Sequence, residues 1–147
     1  MNRELKNVIV FTLGAPGGGR HAAELRWIRE VVTLGWVTVI PGAPVGLAGA
    51  VNLRGNLVPV LEPSALMGGA GAPPPRQGDP ALIVEDRGVV AALRVDQVHE
   101  VATCPAEGDG VLDARGRPLP LVDPRELVRR ALAAAQALRD DGGAAVG

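Results

Sequence analysis

A chain of 147 residues with 47% hydrophobic content has the material for one domain, or for two very small units sharing a core. Its formal charge of −1 and its few aromatics (Phe11, Trp27 and Trp36) exclude the basic, stacking surfaces of a nucleic-acid binder and the charge attraction of an anionic membrane. Cys104 is the one cysteine, which rules out an internal disulfide and fits a reducing, cytoplasmic setting. No run approaches the ~18–20 apolar residues of a membrane helix, and the first residues are too charged for a signal peptide.

Residues 7–13, NVIVFTL, predict a buried strand, and the glycine-rich stretch 14–19 breaks the chain. Residues 21–32 read two ways. Leu25, Ile28 and Val32 share one helical face, but two short strands, about 20–25 and 28–33 with a bend between, fit as well. Residues 36–40, WVTVI, predict a strand halted by Pro41-Gly42-Ala43-Pro44. Residues 51–53 and 57–61 flank Arg54-Gly55-Asn56, whose Gly and Asn suit a two-residue hairpin turn at positive φ. Pro59 gives up one ladder donor, so its strand is expected at an edge or with a bulge there.

Residues 68–80, GGAGAPPPRQGDP, predict an exposed connection without regular structure. Residues 81–85 and 89–95 form a second hairpin around 86–88, residues 96–101 continue the sheet, and 105–110 is loop. Residues 111–113 and 118–122 make the last hairpin. Asp123 as N-cap, Pro124 at the first helical position and Glu126 two residues later then start a helix. Its apolar stripe is Val128, Ala131, Leu132, Ala135 and Leu138, and Gly142-Gly143 ends it. Eight to ten short strands with one real helix argue for small barrels or a sandwich. Residues 54–66 also align without a gap on residues 115–127, an offset of 61 that suggests two related halves.

Catalytic chemistry finds no foothold. Gly14 to His21 has nearly the spacing of a P-loop, with 82–86 posing as its acidic partner motif. However, Arg20 and His21 stand where the phosphate-binding Lys and the Mg²⁺-binding hydroxyl belong. His21 and Glu24 have a ligand-like H-x-x-E spacing with no further histidine nearby. Ser64 is the lone serine, placed as a helix cap, and Cys104 has no evident base. Glu30, Glu62, Asp96 and Asp123 define no acid/base pair. Neither enzyme activity nor a cofactor is expected.

The segment 49–60, GAVNLRGNLVPV, resembles the G-x-x-N-L-R-G-x-x-[VI]-P-[VI] signature of the CheW-like family, the adaptors of bacterial chemosensory arrays. The resemblance runs from about Val8 to Leu132. Residues 8–14, 28–32 (IREVV), 37–44, 93–98 (LRVDQV) and 121–123 support it in the same order. It implies a mainly β fold of two small SH3-like five-stranded barrels meeting at a hydrophobic seam, with a C-terminal helix. On that reading a single domain spans 7–139: a first barrel at 7–67, the connection 68–80, a second barrel at 81–122 and a helix at 124–139. The short segment between Val101 and Val111 leaves open whether the second barrel keeps all its strands, and Glu62-Pro63 replaces the family's Asp-Leu.

The resemblance also implies a function. Such adaptors bind the regulatory domain of a CheA-type histidine kinase with one barrel and the cytoplasmic tip of a chemoreceptor near the groove between barrels. Arg54, Ile28, Glu30, Gly49, Asn52 and Gly55 fall on the partner-binding side by motif match. A plainer role stands beside three of these: core packing for Ile28, an exposed turn for Arg54, and a bulge or close backbone approach for Gly49. A scaffold of the same fold serving another partner or a non-flagellar pathway is the alternative, and a degenerate P-loop protein a more distant one. The cognate kinase, the receptor, the signal and the oligomeric state are not written in the sequence.

Overall fold

A computed structural model of the chain describes residues 3–14, 19–69 and 73–146, with side chains as far as residue 137. The strands are β1 (Leu5–Thr12), β2 (Arg20–Glu24), β3 (Glu30–Thr33), β4 (Val37–Thr38), β5 (Leu47–Leu53), β6 (Asn56–Leu61), β7 (Pro80–Asp86), β8 (Val89–Arg94), β9 (Gln97–Glu107), β10 (Gly110–Leu112) and β11 (Pro118–Pro120). Two helices complete it, α1 (Pro63–Leu66) and α2 (Pro124–Val146). The 20–33 ambiguity resolves as two strands, β2 and β3, bent by a single 3-10 turn at Leu25–Trp27. The loop expected at 105–110 is shorter, because β9 runs on to Glu107. Pro105 is tolerated because β10 meets β9 only at Ala106 and Glu107, so no β10 acceptor is denied a donor.

The strands form two sheets, ordered β11-β10-β9-β1-β2 and β3-β7-β8-β6-β5-β4. Both interleave the two ends of the chain: β1 lies between β2 and β9, and β7 and β8 lie between β3 and β6. The division into barrels at 7–67 and 81–122 therefore does not follow the sheets. Long-range antiparallel pairing, β1 on β9 from Leu5↔Pro105 to Thr12↔Gln97, outweighs chain proximity. The β10–β11 side keeps its full set of five strands, two of them only three residues long.

Period-2 alternation sorts the side chains. Along β7, Ala81 and Ile83 point into the interior of the six-stranded sheet, which also holds Leu34, Val51, Val58 and Val60, while Leu82 and Val84 point the other way. Along β1, Val8 and Val10 fill the five-stranded sheet with Ala22, Cys104 and Val111, and Ile9 and Phe11 point oppositely. The opposite faces meet in one seam with Leu61, Leu66, Leu93, Leu127 and Val128. This explains why the β1 and β7 sequences are continuous apolar runs: both faces are buried.

Several local expectations are corrected. The strand at 36–40 shrinks to β4, leaving Trp36, Val39 and Ile40 exposed. Pro59 lies neither at an edge nor at a bulge. Counting back from the turn pair Leu53↔Asn56, alternation puts Ala50↔Pro59 at a position where β5 and β6 exchange no hydrogen bond. The register shift falls instead between Leu47 and Gly49. There a Cβ on Gly49 would sit 2.6 Å from the Thr38 carbonyl oxygen, so glycine is what lets β4 and β5 close. Helix α2 runs past residue 139 and through Gly142-Gly143, among alanines that favour helix.

The N-cap of α2 is as read: Asp123 Oδ1 accepts the Arg125 N–H at 3.0 Å. Burial pushes the Asp123 carboxyl up, but its bonds to the Arg125 side chain and backbone prevail and leave it below its ordinary value. Glu126 does not close a capping box; it pairs with Arg130 instead. Of the apolar stripe, Val128 is buried and Ala131 half-buried, whereas Leu132 and Ala135 are exposed; Leu138 lies outside the described side chains. Residues 54–66 and 115–127 correspond in architecture, each a hairpin running into a Pro-led helix whose Leu66 or Leu127 enters the seam.

The connection around 73–79 lacks regular structure but is not loose. Arg94, 6% exposed, donates from Nε to Glu62 at 2.7 Å and from Nη2 to the Pro73 carbonyl at 2.8 Å, and it pairs with Asp79 at 3.4 Å. Burial pushes the Glu62 carboxyl up while Arg94 and Ser64 pull it down. Leu34 and Asp79 add a backbone bond of 2.8 Å. Replacing Arg94 with Leu strands a buried carboxylate, so we expect a loss of about 3 kcal/mol in urea unfolding and faster tryptic cleavage after Arg76. Gly49→Ala, forced against the Thr38 carbonyl, should cost about 2 kcal/mol by the same measurement; an unchanged midpoint would contradict the close β4–β5 approach.

Candidate functional site

The six-stranded sheet is barrel-like, and its open end lies between the tips of two hairpins. The parallel ladder joining β6 to β8 covers only Val60↔Ala92 and Leu61↔Leu93. Toward the turns that ladder stops, and Arg29 and Glu30, where β3 begins, line the space there. The result is a groove of about 440 Å³. Leu53, Val58, Ile83 and Val90 form its apolar floor and continue the interior cluster, while Arg29, Glu30, Arg54, Asn56, Leu57 and Gly88 make its walls.

The β5–β6 turn is built from Arg54 and Gly55, at φ 50° and 88°. Asn56, expected inside the turn, is instead the first residue of β6. Asn52 braces the turn by accepting the Gly55 N–H on Oδ1 at 2.9 Å. Arg54 reaches from the turn to Glu30 on β3 in a two-toothed ion pair, with Nη1 to Oε2 at 3.3 Å and Nη2 to Oε1 closer. Arg54, with a smaller contribution from Arg29, holds the Glu30 carboxyl below its ordinary value. The sign follows: the pair persists above the usual carboxylate range and is lost only as acid protonates Glu30 below it. Beside it, Arg29 Nη1 meets Glu85 of β7 at 3.0 Å.

The six residues singled out by motif therefore divide. Glu30 and Arg54 meet across the groove. Asn52 and Gly55 shape the turn that presents Arg54. Gly49 is buried at the β4 approach, where the plainer reading holds. Ile28 is half-buried and packs on the seam. Sequence reasoning missed Arg29, Leu57, Glu85 and the groove floor. Only the alternation along β6, which sends Leu57 opposite to Val58, hinted at an exposed leucine; Leu57 is 76% exposed.

Residues 15–18 of the glycine-rich stretch lie outside the described residues, but β1 and β2 on either side of it pair as antiparallel neighbours, from Val8↔Glu24 to Thr12↔Arg20, so a strand stands where a P-loop places its helix. That geometry overturns the P-loop alternative. His21 and Glu24 lie three apart on β2, hence on opposite faces. No group of three or more potential ligands gathers among the described residues. Burial, with Glu100 and Asp113, pushes the Cys104 thiol up, away from the reactive thiolate. Ser64 donates to Glu62 at 3.2 Å. Among the described residues, no helix is long and apolar enough to cross a membrane.

Comparison with known proteins completes the picture. The CheW-like domain profile matches residues 7–108, from within β1 to just past β9, so β10, β11 and α2 lie beyond it. No curated protein matches. Among solved structures, the scaffolding protein TtCheW from Thermoanaerobacter tengcongensis aligns with a TM-score of 0.58 at 29% identity, over 74% of this chain and 70% of that one. With two sheets meeting at one seam, and a profile match over more than half its length, the chain belongs to the CheW-like family of non-enzymatic chemotaxis adaptor and scaffold proteins.

Proposed function

We propose that this protein couples chemoreceptors to a CheA-type histidine kinase, and that the barrel-mouth groove receives the receptor's cytoplasmic tip. Family membership supports the adaptor role. The observation that carries the site is the Glu30–Arg54 pair, which joins β3 to the β5–β6 turn above an apolar floor. Recognition of this kind combines a desolvated apolar anchor with a charged rim. The kinase regulatory domain is assigned to a separate surface, since an adaptor has to hold both partners at once.

The test is a pair of binding titrations with the purified protein, one against a receptor-tip fragment and one against the kinase regulatory domain. Arg54→Glu sets two carboxylates against each other in the groove and should weaken tip binding at least tenfold. Binding to the kinase domain should stay within twofold, and the far-UV spectrum unchanged. Tip affinity that survives Arg54→Glu would remove the groove from the receptor side.

A further inference from the structure

The two non-glycine residues at positive φ among the described residues are both arginines, Arg54 at 50° and Arg87 at 52°. Each is followed by a glycine, Gly55 at 88° and Gly88 at 84°, and each begins the turn of a hairpin. Arginine has no liking for this conformation, which Asn and Gly occupy at lower cost. Two arginines held so in neighbouring turns therefore call for a reason outside local propensity.

The sheet puts these turns together. Because β6 and β8 run parallel with Val60 opposite Ala92, the same register carried back sets Gly55 level with Arg87. Gly88 lines the same groove as Arg54. The charges there do not balance. Arg54 is held by Glu30 and Arg29 by Glu85, but Arg87 is exposed and makes no ion pair among the described residues. Its neighbour Asp86 does not neutralise it, being buried and turned to Arg129 at 3.1 Å. Around the groove, whose own charged lining is Arg29, Glu30 and Arg54, the adjoining Glu85 and Arg87 bring the count to three arginines against two glutamates, beside the exposed Leu57.

We infer that Arg87 is a partner-docking residue, forming with Arg54 a paired-arginine rim that takes a carboxylate-bearing segment whose adjacent apolar side chain enters the groove. This rests on the proposed receptor function and names the chemistry of that site: the docking stretch of the receptor tip is acidic next to an apolar residue. Arg54 is already satisfied within the molecule, so Arg87 is the cation free to meet the incoming carboxylate. Such a rim charge acts mainly on association and its salt dependence.

The turn geometry supplies a clean test. Arg87→Asn removes the charge but suits the left-handed position before Gly88, so it should hold or raise the melting temperature. Titrated against the receptor-tip fragment at low salt, it should weaken binding about fivefold. Arg87→Glu should weaken it further, and the parent's affinity should fall with added salt more steeply than that of either variant. If the parent binds the tip and Arg87→Glu binds as tightly, this inference falls while the adaptor reading stands. If the parent binds no tip fragment, the adaptor reading falls and this assignment with it.

Discussion

The two-residue parallel ladder between β6 and β8 is the constraint on which the rest depends. It is the joint between the two hairpins of the barrel-like sheet, and it is short. Deep in the molecule it draws Val60, Leu61, Ala92 and Leu93 together, and these residues feed both the interior cluster and the seam. Toward the turns it stops, and the hairpins separate around the groove. A longer ladder would close the mouth; none at all would leave β3 and β7 detached from β5 and β4. Since strand pairing brings backbone groups to within about 4.8 Å, even two paired residues fix the relative height of both turns.

The second constraint is chain interleaving. β1 serves two clusters at once, with Val8 and Val10 facing one way and Ile9 and Phe11 the other. β7 does the same on the other side of the seam with Ile83 and Leu82. Neither sheet is made from one half of the chain, so the halves cannot fold into separate units with the sheets seen here. Arg94 extends this coupling to the connection between them, tying Glu62 before α1 to Pro73 and Asp79. A buried ion pair of this kind is weak evidence for stability as such. Its consequence is positional: it holds irregular backbone against the sheet.

How much of this was legible in the sequence depended on how local the cause was. The β5–β6 hairpin, the β7–β8 hairpin and the Asp123 cap are set by residues a few positions apart, and they stand close to where the sequence puts them. The seam was foreseen only through family resemblance, and the pairing of β1 with β9 is beyond local pattern, because it joins residues about a hundred positions apart. Residues 20–33 misled in one direction, since a strand-bend-strand can place Leu25, Ile28 and Val32 at helical intervals by chance. In the groove, the motif led to Arg54 and Glu30 but could not show that they touch. Nothing in the sequence pairs Arg29 with Glu85, or turns Asp86 inward and leaves Arg87 outward; those follow from where β7 ends beneath α2.

The proposed bridging of two partners through separate surfaces can be read by gel filtration with light scattering of the kinase regulatory domain and a receptor-tip fragment, mixed with and without this protein. A ternary species should appear only when the protein is added. Kinase domain and tip that elute apart in its presence, or two partners that exclude one another from it, would contradict the bridging role.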